Sequence, residues 1–198
     1  MINDLIKRDG KFSLLVNQLG LLKIEKKTLS FESLLKIIIN QQLSNKVANV
    51  IFLRLKNIFK LSKEITPDLI LLSNVDEMRK TGISFAKISF MKNLAKVFKE
   101  NPKIIQNWSK LDDDNAKIEI EKLKGFGPWS SNIILLFYLG RQDIFPFGDS
   151  TLKKAYLSIY GTPLNKDLRE LDWARPHRSI LALYFWKWVD NGMVELQK

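Results

Sequence analysis

The sequence predicts an all-α protein, and three observations carry that expectation. Apolar residues recur at three- and four-residue spacing through most of the chain, as on the buried face of a helix. Residues that start helices stand where those segments begin, such as Thr66 before Pro67 and Ser84 before Phe85. No alternating apolar and polar stretch persists long enough for a half-buried strand.

Taken in order, Phe12 to Leu19 is a short apolar-periodic helix ended by Gly20. Leu21 to Ile24 is the only strand candidate. Helices are expected over Phe31 to Ile39 and Leu43 to Phe59, then over Asp68 to Leu72 with Pro67 opening it and Thr66 as N-cap. Asn74 to Lys80 follows, closed by Gly82. Ser84 caps Phe85 to Phe98, where Ile88, Met91, Leu94, Ala95 and Phe98 make one stripe. Asp112 to Lys122 is amphipathic, with Asp112, Asp113 and Asp114 complementing the dipole at its start. After the loop from Arg141 to Gly148, helices run over Asp149 to Tyr160 and from about Arg178 to Asn191.

Composition narrows the function classes. The chain has 198 residues, enough for one domain or two intimate subdomains with a real core. Lys and Arg number 32 against 21 Asp and Glu, a net charge of +11 spread along the chain. That surplus reads either as solubility and compositional drift or as affinity for a polyanion. With no cysteine, disulfides, thiolate metal sites and iron–sulfur clusters are excluded. The single histidine, His177, excludes a His-rich metal centre. The N-terminus lacks the basic start and apolar core of a signal peptide, and no apolar run approaches membrane-spanning length, so an intracellular protein is expected.

The most informative stretch is Leu123-Lys124-Gly125-Phe126-Gly127-Pro128-Trp129-Ser130-Ser131-Asn132, leading into the apolar run Ile133 to Leu139. Glycines there permit positive φ and leave amides unshielded. The helix start beyond them aims free N–H groups outward, a site for one phosphate, with Pro128 near the first helical position. Gly125 and Gly127 are the expected donors, and Lys153, Lys154, Arg175 and Arg178 are candidate phosphate contacts or merely solvated cations.

At this hairpin the chain resembles the helix-hairpin-helix (HhH-GPD) DNA glycosylase superfamily, in particular its 3-methyladenine DNA glycosylase II branch. Ile38-Ile39-Asn40-Gln41-Gln42-Leu43-Ser44 is similar to that branch's Gly-Gln-Gln-(Leu/Ile)-Ser segment, with Asn40 in place of glycine. Phe145-Pro146-Phe147-Gly148-Asp149 resembles the proline-containing loop that carries the catalytic aspartate. Trp173-Ala174-Arg175-Pro176-His177-Arg178-Ser179 resembles the Trp-x-Pro-(Trp/Tyr)-Arg-Ser turn, with one extra residue. The resemblance implies two helical subdomains flanking a cleft, expected as 1–30 with 145–198 and as 31–144. It also implies that the N-terminal segment packs with the C-terminal helices.

Breaking an N-glycosidic bond develops positive charge on the sugar, and a carboxylate beside it stabilises that charge or aligns water. Asp149 is the catalytic candidate and could also cap the helix that follows it; Asp143 is the fallback. The target base must leave the stack. Gln42 occupies the family's wedge position, or is an ordinary polar helix junction. Trp129 stands where bifunctional members carry a nucleophilic lysine, which implies base removal by water without strand cleavage, although Lys124, Lys153 and Lys154 are near in sequence. Trp129, Phe145 and His177 are candidates for the base pocket, with Phe137, Tyr138 and Phe147 as further aromatics; core packing is the alternative for each aromatic.

The resemblance further implies a monovalent cation, Na⁺ or K⁺, on the carbonyls of Leu123 and Phe126, with no cofactor required. The expected activity is a monofunctional glycosylase acting on alkylated bases in base excision repair. Removal of oxidised or deaminated bases, or DNA binding without catalysis, are the alternatives. The expected partner is double-stranded DNA with damaged bases, met by a monomer away from any membrane. The expected location is the nucleoid in a prokaryotic cytoplasm or a eukaryotic nucleus.

Overall fold

Side-chain caps define most of the helices in the computed structural model, which describes residues 1–60 and 62–193. The chain begins with α1 (Ile2–Arg8) and α2 (Gly10–Leu19), the latter capped by Asp9, which accepts from the Phe12 N–H at 2.6 Å. Then come α3 (Phe31–Asn40), with a Ser30/Ser33 capping box, and α4 (Asn45–Ile58), capped by Ser44. Thr66, Asn74 and Ser84 cap α5 (Pro67–Leu72), α6 (Val75–Lys80) and α7 (Phe85–Glu100). Next are α8 (Ile104–Lys110), α9 (Asp113–Glu121) and α10 (Pro128–Ile133), which runs on as a π-helical turn over Ile134–Tyr138. The last helices are α11 (Ser150–Tyr160), a 3₁₀ segment at Arg169–Ala174, and α12 (Arg178–Asp190). Among the described residues there is no strand.

Leu21 to Ile24 is therefore not a strand. In place of a ladder, Leu22 N–H donates to the Tyr184 hydroxyl at 3.1 Å. Further along the same extended segment, Lys27 donates to the Phe137 carbonyl at 2.7 Å. The apolar run after the hairpin departs from plain α geometry, because Leu139 N–H bonds back to Ile134, five residues earlier. The helices Ile2–Arg8 and Ile104–Lys110 are additions to those expected.

The chain divides into two compact units, Met1–Lys27 with Asn132–Lys198 and Thr28–Ser131. The second boundary falls earlier than the expected 144/145. Residues 141–144 belong with the C-terminal helix because Ser179 N–H donates to Gln142 O and Ser179 Oγ accepts from Ile144 N–H. Residues 61 and 194–198, which fall within the expected subdomains, lie outside the described residues.

In the first unit α12 is the central element, packed against α2 and α11. Tyr184 and Phe185 on it are fully buried. Phe12 meets Tyr184 edge-on at 4.9 Å. In the second unit α7 packs on α3, α5 and α6 through Ile88, Met91, Leu94 and Ala95, the stripe expected from the sequence; Phe98 extends it, edge-on to Phe31 at 5.1 Å. Lys92 donates to the carbonyls of Leu71 and Ser73 at the end of α5.

Tyr184 Oη donates to Gly20 O at 2.8 Å and accepts from Leu22 N–H, so it fastens the end of α2 to α12. Tyr184→Phe removes both bonds while keeping the ring, and should cost about 1–3 kcal/mol in urea unfolding. An unchanged midpoint would show that the hydroxyl does not hold this segment.

Candidate functional site

The expected site residues fall on both units. Gln42, Leu123, Gly125, Phe126, Gly127 and Trp129 belong to the second; Phe145, Asp149, Lys153, His177 and Arg178 belong to the first.

In the second unit, Leu123 and Phe126 anchor the turn between α9 and α10. Both are buried, and Phe126 N–H donates to Leu123 O at 2.9 Å. Gly125 between them has φ +91, a conformation that strains any residue with a Cβ. Space demands glycine there as well: a Cβ would lie 2.3 Å from Cδ2 of Phe90 on α7. Gly127 differs, since its φ lies outside the left-handed region and a Cβ there would meet nothing within 4 Å. The main-chain N–H groups of Gly125 and Gly127 donate to no acceptor among the described residues. Ser131 Oγ donates to Glu121 at 2.6 Å and so joins the two helices of the hairpin. Trp129 is the second residue of α10 and is half-buried.

The loop after α3 is tied to this hairpin. Gln41 Nε2 donates to Gly125 O at 2.7 Å and to Ser130 Oγ at 3.1 Å. Lys87 Nζ on α7 donates to the carbonyls of Ile39 and Gln41, both at 2.8 Å. Between these supports stands Gln42, exposed and at φ 58, which is uncommon for a residue other than glycine.

In the first unit, Asp149 is the N-cap of α11: its Oδ1 accepts from Thr151 N–H at 2.9 Å and Leu152 N–H at 3.1 Å. The two amides fix one carboxylate oxygen, and the helix dipole favours negative charge at this end. Its own N–H donates to Pro146 O at 2.9 Å, closing the loop. Further back the loop is held by α12, through Ser179 Oγ, which donates to Arg141 O at 2.7 Å and accepts from Ile144 N–H at 2.9 Å.

Several expected roles change here. Arg178 is not placed as an exposed phosphate contact: its side chain is only 12% exposed and grips Asp143 with two bonds of 2.8 Å. This fork of parallel bonds makes Asp143 a structural ion-pair partner rather than a spare catalytic acid, with Arg175 3.9 Å from the same carboxylate. Phe145 is 5% exposed and edge-on to Phe185, a core residue beneath the loop rather than a pocket wall. Lys153 is exposed, with its ammonium 4.1 Å from the centre of the Phe147 ring. Lys154 is exposed on the same helix. Tyr138 is buried, and burial raises its pKa above the ordinary tyrosine value. Phe137 stacks on Trp186 at 5.7 Å. His177 is half-buried at the start of α12, and its Nδ1 is buried with no hydrogen-bond partner.

Sequence reasoning missed Phe90, Lys87 and Glu121 as supports, and passed over Gln41 as a neighbour of Gln42. Only Gln41 stood in a motif that could have drawn attention to it. Among the described residues no cluster of His, Asp or Glu could hold a metal ion. The hairpin instead offers neutral main-chain carbonyls, a donor type that suits Na⁺ or K⁺.

Residues 35–173 match the HhH-GPD superfamily of base excision DNA repair proteins. DNA-3-methyladenine glycosylase 1 of Schizosaccharomyces pombe is 29% identical over 168 residues, which cover 79% of this chain and 71% of that one. A solved structure of 3-methyladenine DNA glycosylase Mag1 from the same yeast, in complex with abasic DNA, superposes with a TM-score of 0.86 at 26% identity, covering 96% of each chain. The fold is shared at 22% identity with DNA-3-methyladenine glycosidase of Bacillus halodurans, with a TM-score of 0.81 over 98% of this chain and 91% of that one.

The two glycines of the hairpin should separate on substitution. Gly125→Ala combines strained φ with overlap on Phe90 and should lose at least about 2 kcal/mol of unfolding free energy. Gly127→Ala should stay within about 0.5 kcal/mol of wild type. Denaturant titration of both variants measures this, and equal losses would contradict the geometry.

Proposed function

The chain belongs to the HhH-GPD superfamily of base excision DNA repair proteins, and from that premise we propose that it is a monofunctional DNA glycosylase that hydrolyses the N-glycosidic bond of flipped-out alkylated bases, 3-methyladenine among them. The observation that carries this reading is the main-chain-held Asp149, following a glycine hairpin in a chain that matches an alkylbase glycosylase over nearly its whole length.

Asp149 acts on the sugar. As the base departs, positive charge grows on the sugar ring, and a carboxylate already fixed by two amides stabilises it without having to reorganise. Alkylation of a purine ring nitrogen makes the base cationic and a better leaving group, so the acid need not be matched by a strong proton donor. Trp129 in the hairpin has no amine with which to attack the sugar, which supports release by water with the strand left intact. Trp129 in the second unit and His177 in the first are each proposed, from the family resemblance, as residues that read the base. An aromatic face attracts a cationic base.

DNA would be held by the second unit's hairpin and by surplus positive charge. Gly125 is glycine because its own chain requires it; Gly127 is not so constrained, and its open face with an unused N–H suits the close approach of a phosphate. Lys153 is a second proposed phosphate contact. Carbonyls of Leu123 and Phe126 are the proposed ligands of a Na⁺ or K⁺ ion, which would add positive charge beside that phosphate. Gln42 is the proposed wedge that fills the space left by the flipped base. The proposed partner is double-stranded DNA bearing a damaged base, engaged by one copy of the chain, in the nucleoid or the nucleus. No helix among the described residues is long and apolar enough to cross a membrane.

Asp149→Asn should slow base release from methylated duplex DNA by at least about a hundredfold while duplex affinity is kept. Chromatography of free bases and a binding titration measure the two; unchanged turnover removes Asp149 from the mechanism. Gly127→Ala should weaken duplex binding and flatten its salt dependence by about one phosphate contact. An unaltered salt slope would place phosphate binding elsewhere.

A further inference from the structure

Gln42 stands in a conformation that the residue itself does not favour. It lies at φ 58, two residues beyond the end of α3, with its side chain exposed. Left-handed backbone persists at such a residue only where the surroundings over-determine it. Three sets of hydrogen bonds surround it: Leu43 N–H closes the turn on Asn40 O at 3.1 Å, the Gln41 amide donates to Gly125 O and Ser130 Oγ, and the Lys87 ammonium donates to the carbonyls of Ile39 and Gln41. Lys87 comes from the first turn of α7, where its own N–H donates to Ser84 Oγ. Its ammonium sits at the negative end of α3 and bridges that helix to the loop beyond it. No carboxylate pairs with it among the described residues, and burial lowers its pKa below the ordinary lysine value. A half-desolvated cation held by two carbonyls is a poor choice for stability alone, since an apolar side chain would fill the space without that cost.

We propose that Lys87 is a positioning residue for base flipping: by clamping the carbonyls on either side of Asn40 it holds the wedge loop in its inserted shape before DNA arrives. The inference rests on the wedge role given to Gln42. A pre-shaped loop contributes its contacts without an ordering cost during flipping, so loosening it slows extrusion and leaves the initial grip on undamaged duplex alone.

The test compares wild type, Lys87→Met, Lys87→Arg, Gln42→Ala and the double variant Lys87→Met/Gln42→Ala. One readout is single-turnover base release from duplex DNA with one alkylated purine. The other is the fluorescence of 2-aminopurine placed beside a tetrahydrofuran abasic analogue, which reports unstacking without catalysis. Lys87→Met should slow release about tenfold and reduce the fluorescence rise, with affinity for undamaged duplex within about twofold. Lys87→Arg, which keeps charge and donors, should recover most of both. Adding Lys87→Met to Gln42→Ala should cause no further loss, since both act on one wedge. Wild-type behaviour of Lys87→Met, or losses that add in full, would overturn the proposal. Where Lys87→Met fails to fold, Lys87→Gln is judged by the same two readouts. If wild type releases no methylated base, the glycosylase reading fails, and the fluorescence comparison still decides the role of Lys87.

Discussion

The ring of Phe90 occupies the space where Gly125 would carry a side chain, and much of the second unit's functional face depends on that approach. It fixes the left-handed turn at Gly125 against α7, one of the longest and best-packed helices of its unit. The turn in turn presents the Gly125 carbonyl to Gln41, which carries the loop bearing Gln42. Lys87, one turn before Phe90 on the same helix, holds that loop from the other side. A single helix thus sets the position of both the glycine hairpin and the loop that bears Gln42.

The first unit solves the same problem around Asp149 with main-chain and buried polar contacts. Ser179 and Arg178 on α12 hold the loop from Arg141 to Ile144, and the α11 amides hold the carboxylate. Charge is used sparingly where it is buried: Arg178 and Asp143 neutralise each other in a fork geometry, which leaves the net positive charge of the chain to exposed lysines such as Lys153 and Lys154. Catalysis by a preformed electrostatic environment requires this kind of support, because a carboxylate that must reorganise returns the barrier it was meant to lower.

What could be read in the sequence was what local chemistry decides. Thr66 and Ser84 cap helices through bonds to residues three positions on, so their role is visible in a window of four residues. The stripe on α7 is likewise local, and so is Asp149 as a cap. Arg178 looks like a free surface cation in the sequence because its partner, Asp143, lies 35 residues away, and nothing near Arg178 signals it. Leu21 to Ile24 has strand-like residues, but whether an extended segment finds a ladder depends on distant neighbours, here Tyr184. Phe145 and Trp129 look alike as aromatics near a motif; only packing separates the buried ring against Phe185 from the half-buried indole. Gln41 and Gln42 are identical in chemistry and adjacent in sequence. Their backbone conformations alone send one amide to the hairpin and leave the other exposed.

In the proposed reaction water removes the alkylated base, and no covalent bond forms between protein and sugar. The most direct measurement is one incubation of the wild-type protein with methylated duplex DNA in the presence of sodium borohydride, followed by analysis of bases, strands and protein. The expected products are free 3-methyladenine and an unbroken strand carrying abasic sites, with no protein–DNA adduct. A trapped adduct, or DNA bound with no base released, would contradict this reaction.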